Sequence, residues 1–202
     1  MTSVPHDFFE QIKLFLPKYL TPHQQSQLFE ELRAFPDNME YYLRRSEWRE
    51  TLLQGDGWRG FVVINFGTSE RKEVSGLVLS NSCDIDPKNV RALPASILFS
   101  PLIRLTRYEA LLAESGRDGA QVRSHLDAIR KQRVTSVFCL PPGPGIDECI
   151  VLFDDIHSHP LEDFLQRERS CVFTLNQYAF YLLLLKLSIH FSRFQEGVAR
   201  FD

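Results

Sequence analysis

Four cysteines, Cys83, Cys139, Cys149 and Cys171, are scattered through the 202 residues with no CxxC pair among them. Neither a zinc ribbon nor a dense disulfide framework is indicated, and a reducing cytoplasm is the expected location. The opening residues, Met1-Thr2-Ser3-Val4-Pro5-His6-Asp7, lack the basic stretch and apolar core of a secretory signal. Cationic excess is lacking too. With 23 Lys and Arg against 26 Asp and Glu the formal net charge is -3, which argues against a protein that coats nucleic acid by displacing phosphate counterions. Nor is there a membrane span: the most apolar stretch, from Thr174 to Phe194, is interrupted by Lys186, His190 and Arg193 and shortened by Asn176 and Gln177, and a span needs ~18 or more apolar residues with few charges. No internal repeat or low-complexity tract is present.

A hydrophobic content of 44% supports one good core, so residues 1–202 are expected to form a single domain. Its central stretch is Gly55 to Asp84, which reads as a turn, a strand, a polar hairpin and a second strand. Phe61, Val63 and Asn65 alternate with Val62, Ile64 and Phe66, so the first strand is apolar on nearly both faces, as in a closed or covered sheet. Gly67 to Glu73 is too polar to bury and reads as the hairpin loop, before Leu77-Val78-Leu79 resumes strand character.

Ahead of this stretch, residues 1–45 read as a helical hairpin. Phe8, Phe9, Ile12, Phe15 and Leu16 recur at helical spacing up to Pro17. Thr21-Pro22-His23-Gln24 then offers an N-cap and a proline at the first helical position, followed by the stripe Leu28, Phe29, Leu32 and Phe35. Behind it, Leu93 to Leu105 reads as a strand interrupted by Pro101. Residues 106–133 read as a helical insertion in two pieces, separated by Gly116 and Gly119. Val134 to Leu140, the Pro/Gly turn 141–145 and Cys149 to Ile156 read as two strands running to His157 and His159. Residues 174–195 read as a long helix apolar nearly all round, which must be buried on more than one side. Its line Phe180, Leu184, Leu187, Phe191 and Phe194 is expected to meet a homodimer mate or another protein partner.

Gly55-Asp56, the strand Val62 to Phe66, the loop Gly67-Thr68-Ser69-Glu70 and the strand Leu77 to Ser80 resemble the MazF/PemK-like barrels. The likeness runs to about residue 165 through the Pro/Gly turn and Asp155-Ile156-His157-Ser158. It implies an α+β protein: an SH3-like β-barrel over 55–165, with the N-terminal hairpin, the insertion and the C-terminal helix around it. It also implies a toxin-antitoxin-like, bacterial or phage-related setting, a dimer, and metal-independent ribonuclease chemistry. In that family an Arg, usually followed by Pro, and a Ser or Thr act on the scissile phosphate. Here Ser75-Gly76 fills the first position and Glu148-Cys149-Ile150-Val151 the second, so no catalytic residue carries over.

The expectation is therefore a noncatalytic binding or regulatory protein, with no cofactor. An endoribonuclease with a displaced active site is the first alternative, with Arg71 and Lys72 of the hairpin loop offering charge to a phosphate; RNA is not the favoured partner. A Cys- or metal-dependent hydrolase is the second. Cys83 beside Asp84 is the most nucleophile-like residue, with His157 or His159 as a base if the strand ends meet; the plain reading is a small buried thiol ending a strand. Asp155, His157 and His159 alternate and would share one face of an extended strand as weak metal candidates. Arg104, Arg107, Arg123, Arg130, Lys131 and Arg133, with Arg117, outnumber the carboxylates between 104 and 133 by three; they are an anion-binding patch or simply a solvated face. Trp48 and Trp58 are base-stacking or packing residues.

Overall fold

The computed structural model describes residues 21–23, 26, 30, 40–44 and 50–192. In chain order these form β1 (Gly57–Ile64), β2 (Arg71–Val78), β3 (Ser96–Pro101), β4 (Ile103–Arg104), α1 (Leu105–Glu114), α2 (Gly119–Arg130), β5 (Val137–Leu140), β6 (Cys149–Leu152), β7 (His157–Pro160), α3 (Leu161–Gln166), β8 (Ser170–Phe173) and α4 (Gln177–Ser192). The class is α+β, as expected. The strands build two antiparallel sheets, one ordered β7-β3-β2-β1-β8 and one ordered β4-β6-β5.

No closed barrel is found among the described residues, because β7 and β8 are the two outer edges of the larger sheet. Pro101 shows why the chain divides. It has no N–H to continue the ladder, and one residue later the Leu102 N–H donates to the Ser75 carbonyl at 2.8 Å. The chain then enters the second sheet, where Ile103 and Arg104 pair with Ile150 and Cys149. The β5–β6 hairpin thus completes its own sheet, and β7 runs back to pair with β3.

In the three-stranded sheet both faces are covered. Phe138, Leu140, Cys149 and Val151 join the core under α4, while Val137, Cys139, Ile150 and Leu152 pack against α1 and α2. That is why the two strands read as unbroken apolar runs. The outer edge of β5 is closed by side chains in place of a strand. The Gln132 amide donates to the Cys139 carbonyl at 2.6 Å and accepts the Cys139 N–H at 3.2 Å. Lys186 of α4 donates to the Gln132 carbonyl, the Gln132 side chain and the carbonyls of Val134 and Val137. An edge satisfied in this way offers no template to another chain.

One face of the larger sheet packs on α3 through a ring stack, Phe61 on Phe99 at 4.1 Å and on Phe164 at 4.4 Å. Gly76 makes room for it: a Cβ there would lie 2.6 Å from the Phe99 ring and 2.9 Å from that of Phe61. Beyond Arg59 and Gly76 the β1–β2 hairpin pairs with no third strand among the described residues. Contrary to the covered sheet expected from its sequence, its outer end is open, with Ile64 43% and Phe66 94% exposed. The turn spans 65–70, so Arg71 and Lys72 begin β2 instead of lying in the loop.

The helical insertion is as read: Gly116 (φ +78°) follows α1, and the Asp118 carboxylate caps α2 at the Ala120 N–H. The C-terminal helix starts at Gln177, with the Asn176 side chain accepting the Ala179 N–H at 2.9 Å. The short elements α3 and β8 are additional to the sequence reading. Of the N-terminal hairpin, Pro22, His23, Ser26 and Glu30 are helical; its apolar stripes, Trp48 and Phe194 lie outside the described residues. No helix among the described residues is long and apolar enough to cross a membrane.

Candidate functional site

Two neighbouring cavities share the walls Glu50, Trp58 and Arg169. One, of about 420 Å³, is completed by Arg167, Glu168, Ser170 and Cys171. The other, of about 440 Å³, runs under Thr51–Leu53 to Ser82, Cys83, Asp86, Pro87, Lys88 and Leu165. Together they form a groove that is apolar along the second cavity, at Leu52, Leu53, Trp58 and Leu165, and whose walls carry three basic and three acidic side chains.

Trp58 is in this position because β1 directs it to the α3 face of the sheet, edge-on to Phe164 at 6.2 Å. It is buried, so it contributes an edge to the groove and not a free stacking face. Arg169 is held by its bond to the Leu165 carbonyl and Arg167 by the Asp163 carboxylate at 2.7 Å. Asp163 also meets His159 Nε2 at 2.6 Å, and these two partners hold its carboxyl down at about 2.

Cys83 is exposed, which corrects the buried thiol expected from sequence. It lies beyond the end of β2, in a loop fastened by its own polar groups. Cys83 N–H donates to Asn81 Oδ1 at 2.9 Å, and Arg91 donates to the carbonyls of Asp84, Asp86 and Asn89. Lys88 is on the same cavity wall, but His157 and His159 are not part of that lining. They sit on β7, each against its own carboxylate, His157 with Asp155 at 2.9 Å and His159 with Asp163. Both rings contact Phe99, so they do share a face as the alternation implied. No group of three or more metal-ligating side chains occurs among the described residues. Asp84 is exposed beside Cys83.

Behind the groove lies a buried polar chain that sequence reading missed. Cys171 Sγ is 3.8 Å from the Thr174 hydroxyl, which donates to Asp56 Oδ2 at 3.3 Å. Asp56 is fully buried. Burial pushes its carboxyl up to about 8, against the opposing pull of the Thr174 hydroxyl, the Leu53 backbone and the Trp58 indole. Two other thiols are inert by the same cause: burial raises Cys139 to about 12 and Cys149 to about 11.

The basic patch is partly neutralised, at Arg104 and Arg130 by residues from outside its own stretch. Arg130 makes a two-pronged pair with Glu148 at 2.8 and 2.9 Å, and Arg104 meets Asp147 at 3.3 Å. Lys131 pairs with Asp127 at 2.7 Å. Counting Asp147 and Glu148 reduces the local excess from three to one. Arg107, Arg117, Arg123 and Arg133 remain exposed around it. In the two stretches singled out by the MazF/PemK-like resemblance, Gly76, Cys149, Ile150 and Val151 are buried, while Ser75 and Glu148 are half-buried. Comparison with protein-family models, curated proteins and solved structures returned no match, so the chemistry of the groove is argued from its own residues.

Proposed function

We propose that this chain is a noncatalytic binding protein that receives its ligand in the groove beside Trp58. The observation that carries the reading is the pair of cavities sharing Glu50, Trp58 and Arg169. An apolar stretch between walls of both charges suits an amphipathic ligand carrying both signs, oriented by Arg167, Arg169 and Lys88 at one set of positions and by Glu50, Asp86 and Glu168 at the other. Descent from an SH3-like barrel would rest on the two hairpins that keep the strand-turn-strand order, Gly57–Val78 and Val137–Leu152. Burial of Gly76, Ile150 and Val151 speaks against their contact with RNA.

The test uses Trp58 as reporter in a Trp48→Phe background, titrated with a panel of zwitterionic amphipathic peptides. A saturable change in Trp58 emission that is lost in Arg169→Glu is expected; a flat response across the panel contradicts the reading. A Cys-dependent hydrolase is kept as the second reading because Cys83 is exposed in the same groove. Incubation with a mixed RNA pool, followed by sequencing of the ends, checks the nuclease alternative. No specific cut is expected, and cleavage that disappears in Arg71→Ala would promote that alternative.

A further inference from the structure

The outer half of the β1–β2 hairpin, Phe61–Ile64 paired with Arg71–Val74, is a two-stranded ribbon joined to the body of the molecule by one face. That face holds Phe61, Val63 and Val74 against the core under α3. The opposite face carries Val62 opposite Glu73 and Ile64 opposite Arg71, with Ile64 43% exposed and Phe66 beyond it 94% exposed. The tip is not slack. Asn65 Oδ1 accepts the N–H groups of Gly67 and Thr68, Asn65 N–H donates to the Glu70 carbonyl, and Ser69 N–H donates to the Asn65 carbonyl. A surface already held in shape gives up little conformational freedom when it docks.

We propose that this face is a self-recognition surface that takes a second copy of the chain. The pattern is self-complementary. A twofold axis lying in the contact plane, across the strands and midway between the two residue pairs, reverses strand direction and turns one ribbon over onto the other. Ile64 then covers the partner's Val62, and Arg71 covers the partner's Glu73, each twice in one closed contact, as an isologous interface requires. Among the described residues, neither Arg71 nor Glu73 lies within ion-pair distance of an opposite charge in its own chain, and Glu73 interacts with Arg167 only at longer range. The charges of Arg71 and Glu73 cancel on the face, so an anionic lipid surface gains nothing from it, whereas a second ribbon meets apolar groups with apolar groups and each charge with its opposite. The surface shares no lining residue with the groove, although Glu73 interacts at long range with the groove's Arg167, and ligand binding there is not needed for it.

Sedimentation velocity over a concentration series, with the fold of each variant checked by circular dichroism, tests this. The wild-type chain is expected to pass from monomer to dimer. Ile64→Asp and Arg71→Glu, both on an exposed ribbon, are expected to weaken association at least about tenfold, the equivalent of ~1.4 kcal/mol. The exchanged pair Arg71→Glu with Glu73→Arg restores the charge match and is expected to recover most of that loss. A wild type that stays monomeric at high concentration overturns the proposal. So does a dimer indifferent to both single variants, or an exchanged pair no better than Arg71→Glu alone; an indifferent dimer returns the expected contact to α4.

Discussion

In the three-stranded sheet both faces of β5 and β6 are packed and the outer edge of β5 is occupied by Gln132 and Lys186, whereas the five-stranded sheet ends in an open ribbon and a groove lined by charged side chains. The two regions use polar groups in opposite ways. Beside β5 a buried ammonium and a half-buried amide are spent on backbone carbonyls and amides, leaving little to offer a ligand. Around Trp58 the charged groups stay at the surface, and the loop hydrogen bonds that hold Cys83 and Arg91 shape a surface without sealing it. Satisfying every polar group produces a scaffold, and leaving some at a wall produces a place to bind.

The largest way to break this contrast is Lys186→Ala. It strands four acceptors around β5 and is expected to cost at least about 3 kcal/mol in denaturant unfolding, with the groove retained in whatever fraction folds. A smaller loss follows from Gly76→Ala, whose methyl would meet the Phe99 ring at 2.6 Å; about 1–3 kcal/mol is expected from such overpacking. The same assay reads both.

Asp56 sharpens the comparison through pH. Its folded pKa of about 8 lies above the unfolded value, so between roughly pH 4 and pH 8 the native chain keeps a proton that the unfolded chain has released. Its contribution to stability therefore falls as pH rises through that window, and Asp56→Asn is expected to flatten the profile. Lys186 acts in the opposite direction higher up: burial lowers it from 10.5 to about 8, and stability rises from there toward the unfolded value as the unfolded chain keeps the proton longer. Melting temperatures at about pH 5, 8 and 10 for wild type and Asp56→Asn check both signs. The smallest effect belongs to Arg130→Ala. The Arg130–Glu148 pair is well formed but partly solvated, and a change of about 0–1 kcal/mol is expected in the same melts.

What could be read in the sequence follows the range of the interactions. The β5–β6 hairpin was legible because Pro141 to Gly145 marks its turn and both strands are apolar on each face. The insertion was legible through the spacing of Tyr108, Leu111, Leu112, Val122, Leu126 and Ile129, although Leu111 is exposed. Pairing between distant segments was not. Nothing near Pro101 says that Ile103 and Arg104 join a different sheet, and Arg130 finds its carboxylate 18 positions away. The four-residue strands β7 and β8 are too short to show a period. For the site, Cys83 stands out by its place at a strand end, but its exposure depends on a loop held by Arg91 and cannot be read locally. Asp56 belongs to a recognised Gly-Asp turn, and only the Thr174 contact shows that it is a buried acid. Arg167 and Arg169 carry no signal, since charged residues in a loop are ordinary.

Native-state hydrogen exchange compares the two regions directly, at a protein concentration where the chain is monomeric. Amides of Val137–Leu140 and Cys149–Leu152 are predicted to exchange only through global unfolding, while the outward amides of the ribbon and the loop around Cys83 open at a much smaller free energy. Equal protection in both regions, or a ribbon that outlasts β5 and β6, would contradict the division into a sealed scaffold and an open binding half.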